Sequence, residues 1–451
     1  MTTLTFYGGA CEIGGNKILL EDKGVKVYLD FGQCFDFGED YFYEYLEPRT
    51  ANGLEVFFEF NLVPKVAKLY SKEMLKLTDL KYETPDVDGI FISHSHSDHM
   101  GHLEFLDSSI PVYMGHGTKQ ILDIYEALYP TLCKYGEHDN LNTFKSGDKF
   151  KIKHLEITPI HVEHSIPGAY GYIIKTSKGN IVYTGDLRLH GPKRKYTEEF
   201  IAEAAKAKPI LMLCEGTRMN YDAEHNFTEE EVNKKVSDIV TNSKGTVFTY
   251  FSMTNVDRFN SVYKAAVANG RIMVIDTRLA YVMSNLKDKV DFPDPLKDPN
   301  IMVYFRIAKS CSFQDTDYYK WEREYCPKMI TYKELKKNPK NYVMFIGFYK
   351  LMELVYIQPK NADFIYSMSE HFLEGEDNEE MRTVLENWMK HFKINFHKAH
   401  CSGHAPKEDL KKIVTTVNPK MVIPVHTENA EGFKEFHKNV KIVKNGEKVE
   451  I

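Results

Sequence analysis

Long apolar runs are missing from this 451-residue sequence. The longest, such as 210–214 and 342–349, fall far short of the ~20 residues a membrane-spanning helix needs, so no membrane span is expected. The opening Met1-Thr-Thr-Leu-Thr-Phe lacks the basic stretch and apolar core of a secretory signal. Cysteine is scarce and odd in number, at seven, with no C-x-x-C pair. That argues against a disulfide framework and for reduced thiols in the cytoplasm. Only 2 Trp occur, so the 28 Tyr and 28 Phe must supply the aromatic core. A basic excess is missing too, since the formal net charge is -6. Proteins that coat nucleic acid carry the opposite balance, so any nucleic-acid role must rest on a local site. What is present, 43% hydrophobic and 27% charged residues, describes an ordinary globular chain of two or three domains.

The first third reads as short strands joined by Gly-rich turns, at 4–7, 17–21, 25–30 and 87–93. Residues 35–85 look like an insertion, with helical spacing around Val63–Leu77. Further strand signals fall at 150–158, 170–176 and 180–184. From about Pro209 strand-length runs (210–214, 246–250, 272–275, 343–346, 364–368) alternate with helix-length segments. The clearest of these runs from Asn255, with Thr254 as candidate N-cap, to a stop at Gly270. Such alternation predicts a parallel sheet covered by helices. From Ile394 the style of the first third returns. The expected organisation is α/β throughout: an outer unit, 1–208 plus 396–451, interrupted by an α/β unit at 209–395.

The strongest chemical signal is Ser93-His94-Ser95-His96-Ser97-Asp98-His99, directly after an apolar strand. Three crowded imidazoles would repel one another if protonated, whereas divalent metals bind them neutral, together with carboxylate. A solvated His-rich turn is the plainer alternative, but it does not explain so many ligand-type side chains in so few positions. A lone His or Asp at a strand end is more often structural. Yet His164 or His161, Asp186 and His426 all lie at strand ends, and with the His94–His99 loop they complete a donor set large enough for two ions sharing one carboxylate. Imidazole-rich N/O ligation favours zinc, with manganese compatible where carboxylates contribute. Asp30, at the end of another strand, suits a partner that orients a ligand imidazole.

On these motifs the sequence resembles the metallo-β-lactamase superfamily, whose fold is an αββα sandwich. The opening Gly8-Gly9-Ala10-Cys11-Glu12-Ile13-Gly14-Gly15-Asn16 and Asp30-Phe31-Gly32 are similar to its nucleic-acid-processing members. The resemblance implies one zinc on His94, His96 and His164 and a second on Asp98, His99 and His426, with Asp186 bridging. It also implies that Asp98 helps orient the attacking water. The family's His-S-I-P motif selects His164 over His161. Within this reading His102, His116, His154, His161 and His190 are structural.

The inserted unit resembles the β-CASP domain of nucleases. The segment His400-Cys401-Ser402-Gly403-His404-Ala405-Pro406 precedes a helix expected at 407–416. Successive backbone N–H groups around a glycine ahead of a helix can cradle an anion. An ordinary Gly-containing turn is the plainer alternative. The segment resembles the H-x-S-G-H-A loop of the ribonuclease J family. There it implies that His400, Cys401, Ser402, Gly403 and His404 bind substrate phosphate, with His404 near the scissile bond. Glu215 matches the acidic position that opens the β-CASP insertion. A carboxylate bonded to His404 would keep it protonated to serve the leaving 3′ oxygen. Ser252 is a weaker phosphate contact, with an ordinary turn serine as its equal.

The resemblance therefore implies a zinc-dependent hydrolase acting on single-stranded RNA, namely a 5′-to-3′ exonuclease that requires a 5′ monophosphate. An endoribonuclease of the cleavage-factor or RNA-maturase type and a non-catalytic scaffold of an RNA-processing complex stand as alternatives. The T-G-S-Q-G-E-P and S-S-x-I-P-G-N-E segments of bacterial ribonucleases J find no match at 344–349 or 366–370. Because the sequence ends soon after His426, the C-terminal domain of the bacterial enzymes is not expected, as in the archaeal type. Aromatic residues in 41–60 suit either a homodimer contact or a local hydrophobic staple.

Overall fold

A computed structural model describes residues 1–43, 45–130, 135–136, 138–221, 227–369, 373 and 378–451. It divides into two compact units, Met1–His225 with Gly403–Ile451, and Asn226–Ser402.

The first unit contains two sheets. One is built from β1 (Thr2–Gly8), β2 (Lys17–Asp22), β3 (Val25–Leu29), β4 (Gly89–Ile92), β5 (Val112–Gly115) and β6 (Leu141–Phe144) in that spatial order. The other runs from β7 (Phe150–Ile152) through β8 (Leu155–His161), β9 (Tyr170–Lys175) and β10 (Asn180–Tyr183) to β11 (Leu211–Glu215). Strand alternation explains the layering, because successive side chains point to opposite faces. Ile181 and Tyr183 face inward with Leu4, Phe6, Leu20 and Leu29 of the first sheet, forming the core between the sheets. Val182 and Met212 face outward, where the helices Lys195–Lys206 and Lys407–Val417 cover them with Phe200, Ile201, Leu410 and Ile413. Burying Phe200 alone contributes about 1.5–3 kcal/mol. The outer face of the first sheet, including Tyr28, Ile90 and Met114, is covered by Leu54, Phe57, Leu69 and Tyr70 from the segment after β3. The result is a metallo-β-lactamase-type αββα sandwich.

The second unit contains one seven-stranded sheet, all parallel: β12 (Val247–Tyr250), β13 (Ile272–Asp276), β14 (Ile301–Tyr304), β15 (Met329–Ile330), β16 (Tyr342–Phe345), β17 (Asp363–Tyr366) and β18 (Asn395–Lys398). Back in the first unit, β19 (Val422–Val425) pairs in parallel with β11, and β20 (Lys448–Glu450) pairs with β1. The compact units meet in sequence at 225/226 and 402/403, with β11 in the first unit's sheet and β18 in the second's.

Three local expectations are corrected. No helix occupies Val63–Leu77: Pro64 and the positive φ of Lys68 and Leu77 break the spacing into turns, although Val63, Leu69 and Leu75 are still buried. The run at 150–158 is a hairpin, turning at Lys153 (φ 54°) between β7 and β8. The helix after β12 spans Val256–Ala268, and its N-cap is Asn255, whose side-chain oxygen accepts from Arg258 N–H at 3.0 Å, rather than Thr254. Among the described residues no helix is long and apolar enough to cross a membrane.

Candidate metal centre

Within the first unit β3 and β4 run in one direction in their sheet, β8, β10, β11 and β19 run in one direction in theirs, and residues that follow their carboxyl ends converge. Asp30 follows β3, His94 to His99 follow β4, His164 follows β8, Asp186 follows β10, Glu215 ends β11 and His426 follows β19.

The His-rich loop is shaped by its neighbours' backbone. Ser93 N–H donates to Asp30 Oδ1 at 2.6 Å, which stops β4. His96 is extended, and Asp98 and His99 sit in the one-turn helix Ser97–Met100. Phe31 N–H donates to the His99 carbonyl at 2.8 Å, and Asn16 N–H to that of Asp98 at 3.1 Å. Gly32 is required by this approach, because a Cβ there would fall 1.8 Å from the Asp98 carbonyl oxygen. Asp30 and His426 have φ of 59° and 53°, a costly conformation for non-glycine residues that recurs at functional sites.

Hydrogen bonds on the far side of the imidazoles aim their ligand nitrogens inward. His164 Nδ1–H donates to the Gly403 carbonyl at 2.6 Å, and His99 Nδ1–H donates to Asp30 Oδ2 at 2.7 Å. His426 Nδ1 lies 2.8 Å from Thr217 Oγ1. Each arrangement leaves Nε2 facing the centre. Nδ1 of His96 lies 2.9 Å from Nε2 of His94 and 3.2 Å from Nε2 of His164, so ring nitrogens converge there. Two sets of ligand atoms result: His94, His96, His164 and Asp186; and Asp98, His99, Asp186 and His426. Five imidazole nitrogens, of His94, His99, His164, His404 and His426, stand 3.1–3.8 Å from Asp186 Oδ2, yet neither Asp186 oxygen has a hydrogen-bond partner. Buried polar atoms left in this state fit a bound cation.

Charge separates the two sets. Burial pushes His94 and His164 well below their ordinary pKa and His96 down to about 4, which keeps them neutral. Burial would lower His99 and His426 as well, but Asp186 and Asp98 outweigh it and raise both. Conversely, burial would raise Asp98 and Asp186, and the His99 and His426 imidazoles hold both carboxyls well below the usual range.

Beside Asp186, His404 Nδ1 lies 3.3 Å from Glu215 Oε1. Glu215 also accepts N–H bonds from Leu187 at 3.3 Å and Thr217 at 3.0 Å. Gly403 is close-packed, since a Cβ would lie 2.8 Å from His164 Cε1. The other candidates belong to the second unit. There His400 Nδ1 is 3.0 Å from the Ser367 carbonyl, and the buried Cys401 thiol donates to Glu229 Oε1 at 3.1 Å, so Cys401 can offer a ligand only its backbone. Ser252 Oγ lies 3.2 Å from Thr254 Oγ1, ahead of the helix Val256–Ala268. His161 is stacked between Tyr170 and Tyr196, outside both ligand sets, and His154 bonds Asp22. Glu370, the last residue of the unmatched stretch 366–370, lies outside the described residues.

Sequence reasoning missed the residues around Asp30. Tyr183 O–H donates to Asp30 Oδ2 at 2.5 Å and accepts from Asn16 Nδ2 at 3.0 Å, and the Ser93 hydroxyl donates to the same carboxylate at 2.8 Å. Only the adjacency of Ser93 to His94 was visible as a signal.

The fold and this site are similar to those of the metallo-β-lactamase superfamily. Residues 62–227 match the beta-lactamase superfamily domain, and residues 391–443 match the Zn-dependent metallo-hydrolase RNA specificity domain. Within that class the chain is similar to the ribonucleases J, of the β-CASP type. It is 24% identical to ribonuclease J 2 of Streptococcus pyogenes serotype M3 over 80% of this chain and 64% of the relative. It is 23% identical to ribonuclease J of Mycoplasma pneumoniae over 95% of this chain and 68% of that protein, and 23% identical to ribonuclease J2 of Bacillus subtilis over 93% and 68%. The chain thus spans about two thirds of these relatives' length. A solved structure described as a protein of unknown function from Enterococcus faecalis V583 shares the fold, with a TM-score of 0.78 at 22% identity over 99% of both chains.

Proposed function

We propose that this chain is a metal-dependent ribonuclease that hydrolyses RNA phosphodiester bonds from the 5′ end, preferring a 5′ monophosphate. The observation that carries the reading is the Asp186 carboxylate, buried without a hydrogen bond among five imidazoles, with the Glu215–His404 pair beside it. The likeness to the ribonucleases J and to the RNA specificity domain supports RNA as substrate.

In this reading His94, His96 and His164 hold one zinc, Asp98, His99 and His426 hold another, and Asp186 serves both. Two such ions supply Lewis acidity and a water of lowered pKa for attack on phosphorus. The protein's own groups do the rest. Asp98 orients the attacking water. Glu215 fixes His404 through Nδ1, and His404 Nε2 carries a proton to the leaving 3′ oxygen. Backbone N–H groups of the segment from His400 to His404 bind substrate phosphate, and the Ser252 hydroxyl adds a contact. The chain works in the cytoplasm on single-stranded RNA.

The test is digestion of a 5′-labelled, 5′-monophosphorylated single-stranded RNA by zinc-loaded protein beside the same RNA with a 5′ hydroxyl. Immediate release of labelled mononucleotide, weaker for the hydroxyl form, is expected. Discrete internal fragments from both would replace the exonuclease with an endoribonuclease. No cleavage by protein with both ions bound would sink the ribonuclease reading.

A further inference from the structure

We infer that the buried Arg188–Glu163 ion pair is a positioning clamp, which sets His164 against Asp186 and so governs metal affinity at the first ligand set. The inference rests on the two-ion reading above. Arg188 is fully buried two residues beyond Asp186, and the equally inaccessible Glu163 immediately precedes His164. Their loops are joined twice. Arg188 N–H donates to the Glu163 carbonyl at 2.8 Å, and Arg188 Nη2 lies 3.3 Å from Glu163 Oε1. The pair is anchored from outside by Glu163 N–H, which donates to Thr197 Oγ1 at 2.9 Å on the helix Lys195–Lys206. Gly191 closes over it: a Cβ there would lie 1.9 Å from Glu163 Oε1 and 2.7 Å from Arg188 Nε.

The residue between, Leu187, donates its N–H to Glu215 and accepts from Ala405 N–H at 2.7 Å. Asp186-Leu187-Arg188 therefore ties the shared carboxylate, the Glu215–His404 pair and the His164 loop into one frame. Stability is a poor reason for the ion pair, because taking two charges out of water is costly and an apolar pair of like volume commonly does as well. Direction is a better one, since the side-chain pair adds a second tie between two loops already joined by the Arg188 N–H bond to the Glu163 carbonyl. Neither side chain belongs to a ligand set. The second set does not include His164, and Asp186 is also steadied through Leu187, so the effect of the clamp falls on the first set.

Removing one partner breaks the pair and leaves the other charge in a buried site, which is expected to destabilise the chain. The informative variant is the double change Glu163→Leu with Arg188→Met, compared with wild type by thermal midpoint and by zinc competition against a chromophoric chelator. The expected result is a nearly unchanged midpoint, one ion held as in wild type, and the other held about 10–100-fold more weakly, the usual range for a lost outer partner of a ligand. Unchanged affinity for both ions overturns the clamp. So does an equal fall in both affinities accompanied by a lower midpoint, which would mean a merely structural role. Should wild type bind fewer than two ions, the two-ion reading fails and amide exchange of the metal-free proteins decides the clamp. Faster exchange at His164 and Arg188 in the double variant upholds it, and equal rates overturn it.

Discussion

The two ligand sets that meet at Asp186 are built on opposite electrostatic plans. His94, His96 and His164 are kept neutral chiefly by burial, with help from neighbouring imidazoles, and His164 is steadied by an uncharged carbonyl, that of Gly403. The set of Asp98, His99 and His426 is rich in carboxylate, and His99 is steadied by the charged Asp30, itself held by Ser93 and Tyr183. The difference teaches that a centre with seven ligand-type side chains need not be uniform. The first set depends on geometry, the second on charge.

Asp186→Ala breaks the comparison outright, because both sets lose their shared member. Bound zinc measured by mass spectrometry should fall from two ions towards none and cleavage should vanish, whereas His94→Ala should empty only the first set. Retention of both ions in the Asp186 variant would show that the carboxylate is not shared. His404→Ala lies outside both sets, so metal content should hold while single-turnover cleavage slows by about 10²–10⁴-fold. Cleavage at the wild-type rate would remove His404 from the proton-transfer role. Asp30→Asn sharpens the contrast: the second set should bind zinc about 10–100-fold more weakly while the first is unchanged. Equal weakening of both would refute the separation.

A smaller effect belongs to Asp22, remote from both sets. Burial would raise its carboxyl, but bonds from Ser177, Thr2 and His154 hold it well below the usual range. A depressed carboxyl stabilises the fold above its unfolded value of about 4 and loses that contribution as pH falls through the lower folded value. Asp22→Asn should therefore cost about 1–3 kcal/mol near neutrality with metal content intact. The gap in thermal midpoint to wild type should narrow in acid. A gap independent of pH would mean that shape, not charge, matters at Asp22.

The ligand-type residues were legible because their chemistry is dense in sequence: His94 to His99 cannot be mistaken for core packing. The parallel sheet of the second unit was legible from strand–helix alternation. Partners that act across the sandwich were hidden. Tyr183 and Asn16 meet at 3.0 Å although 167 residues separate them, and nothing local to either signals it. Spacing failed at Val63–Leu77, where apolar residues are buried at helical intervals without a helix, because the core they fill is shaped by β3 to β5. The hairpin at 150–158 was missed because Lys153, an ordinary residue in most turns, takes the left-handed conformation.

The last ligand comes from β19, which pairs beside β11 only after some two hundred intervening residues have been made. The first set, by contrast, is complete in sequence once Asp186 exists. Biosynthesis therefore imposes an order on the centre. The four residues of the first set precede the last of the second, although the Gly403 carbonyl that orients His164 arrives only 239 residues after it.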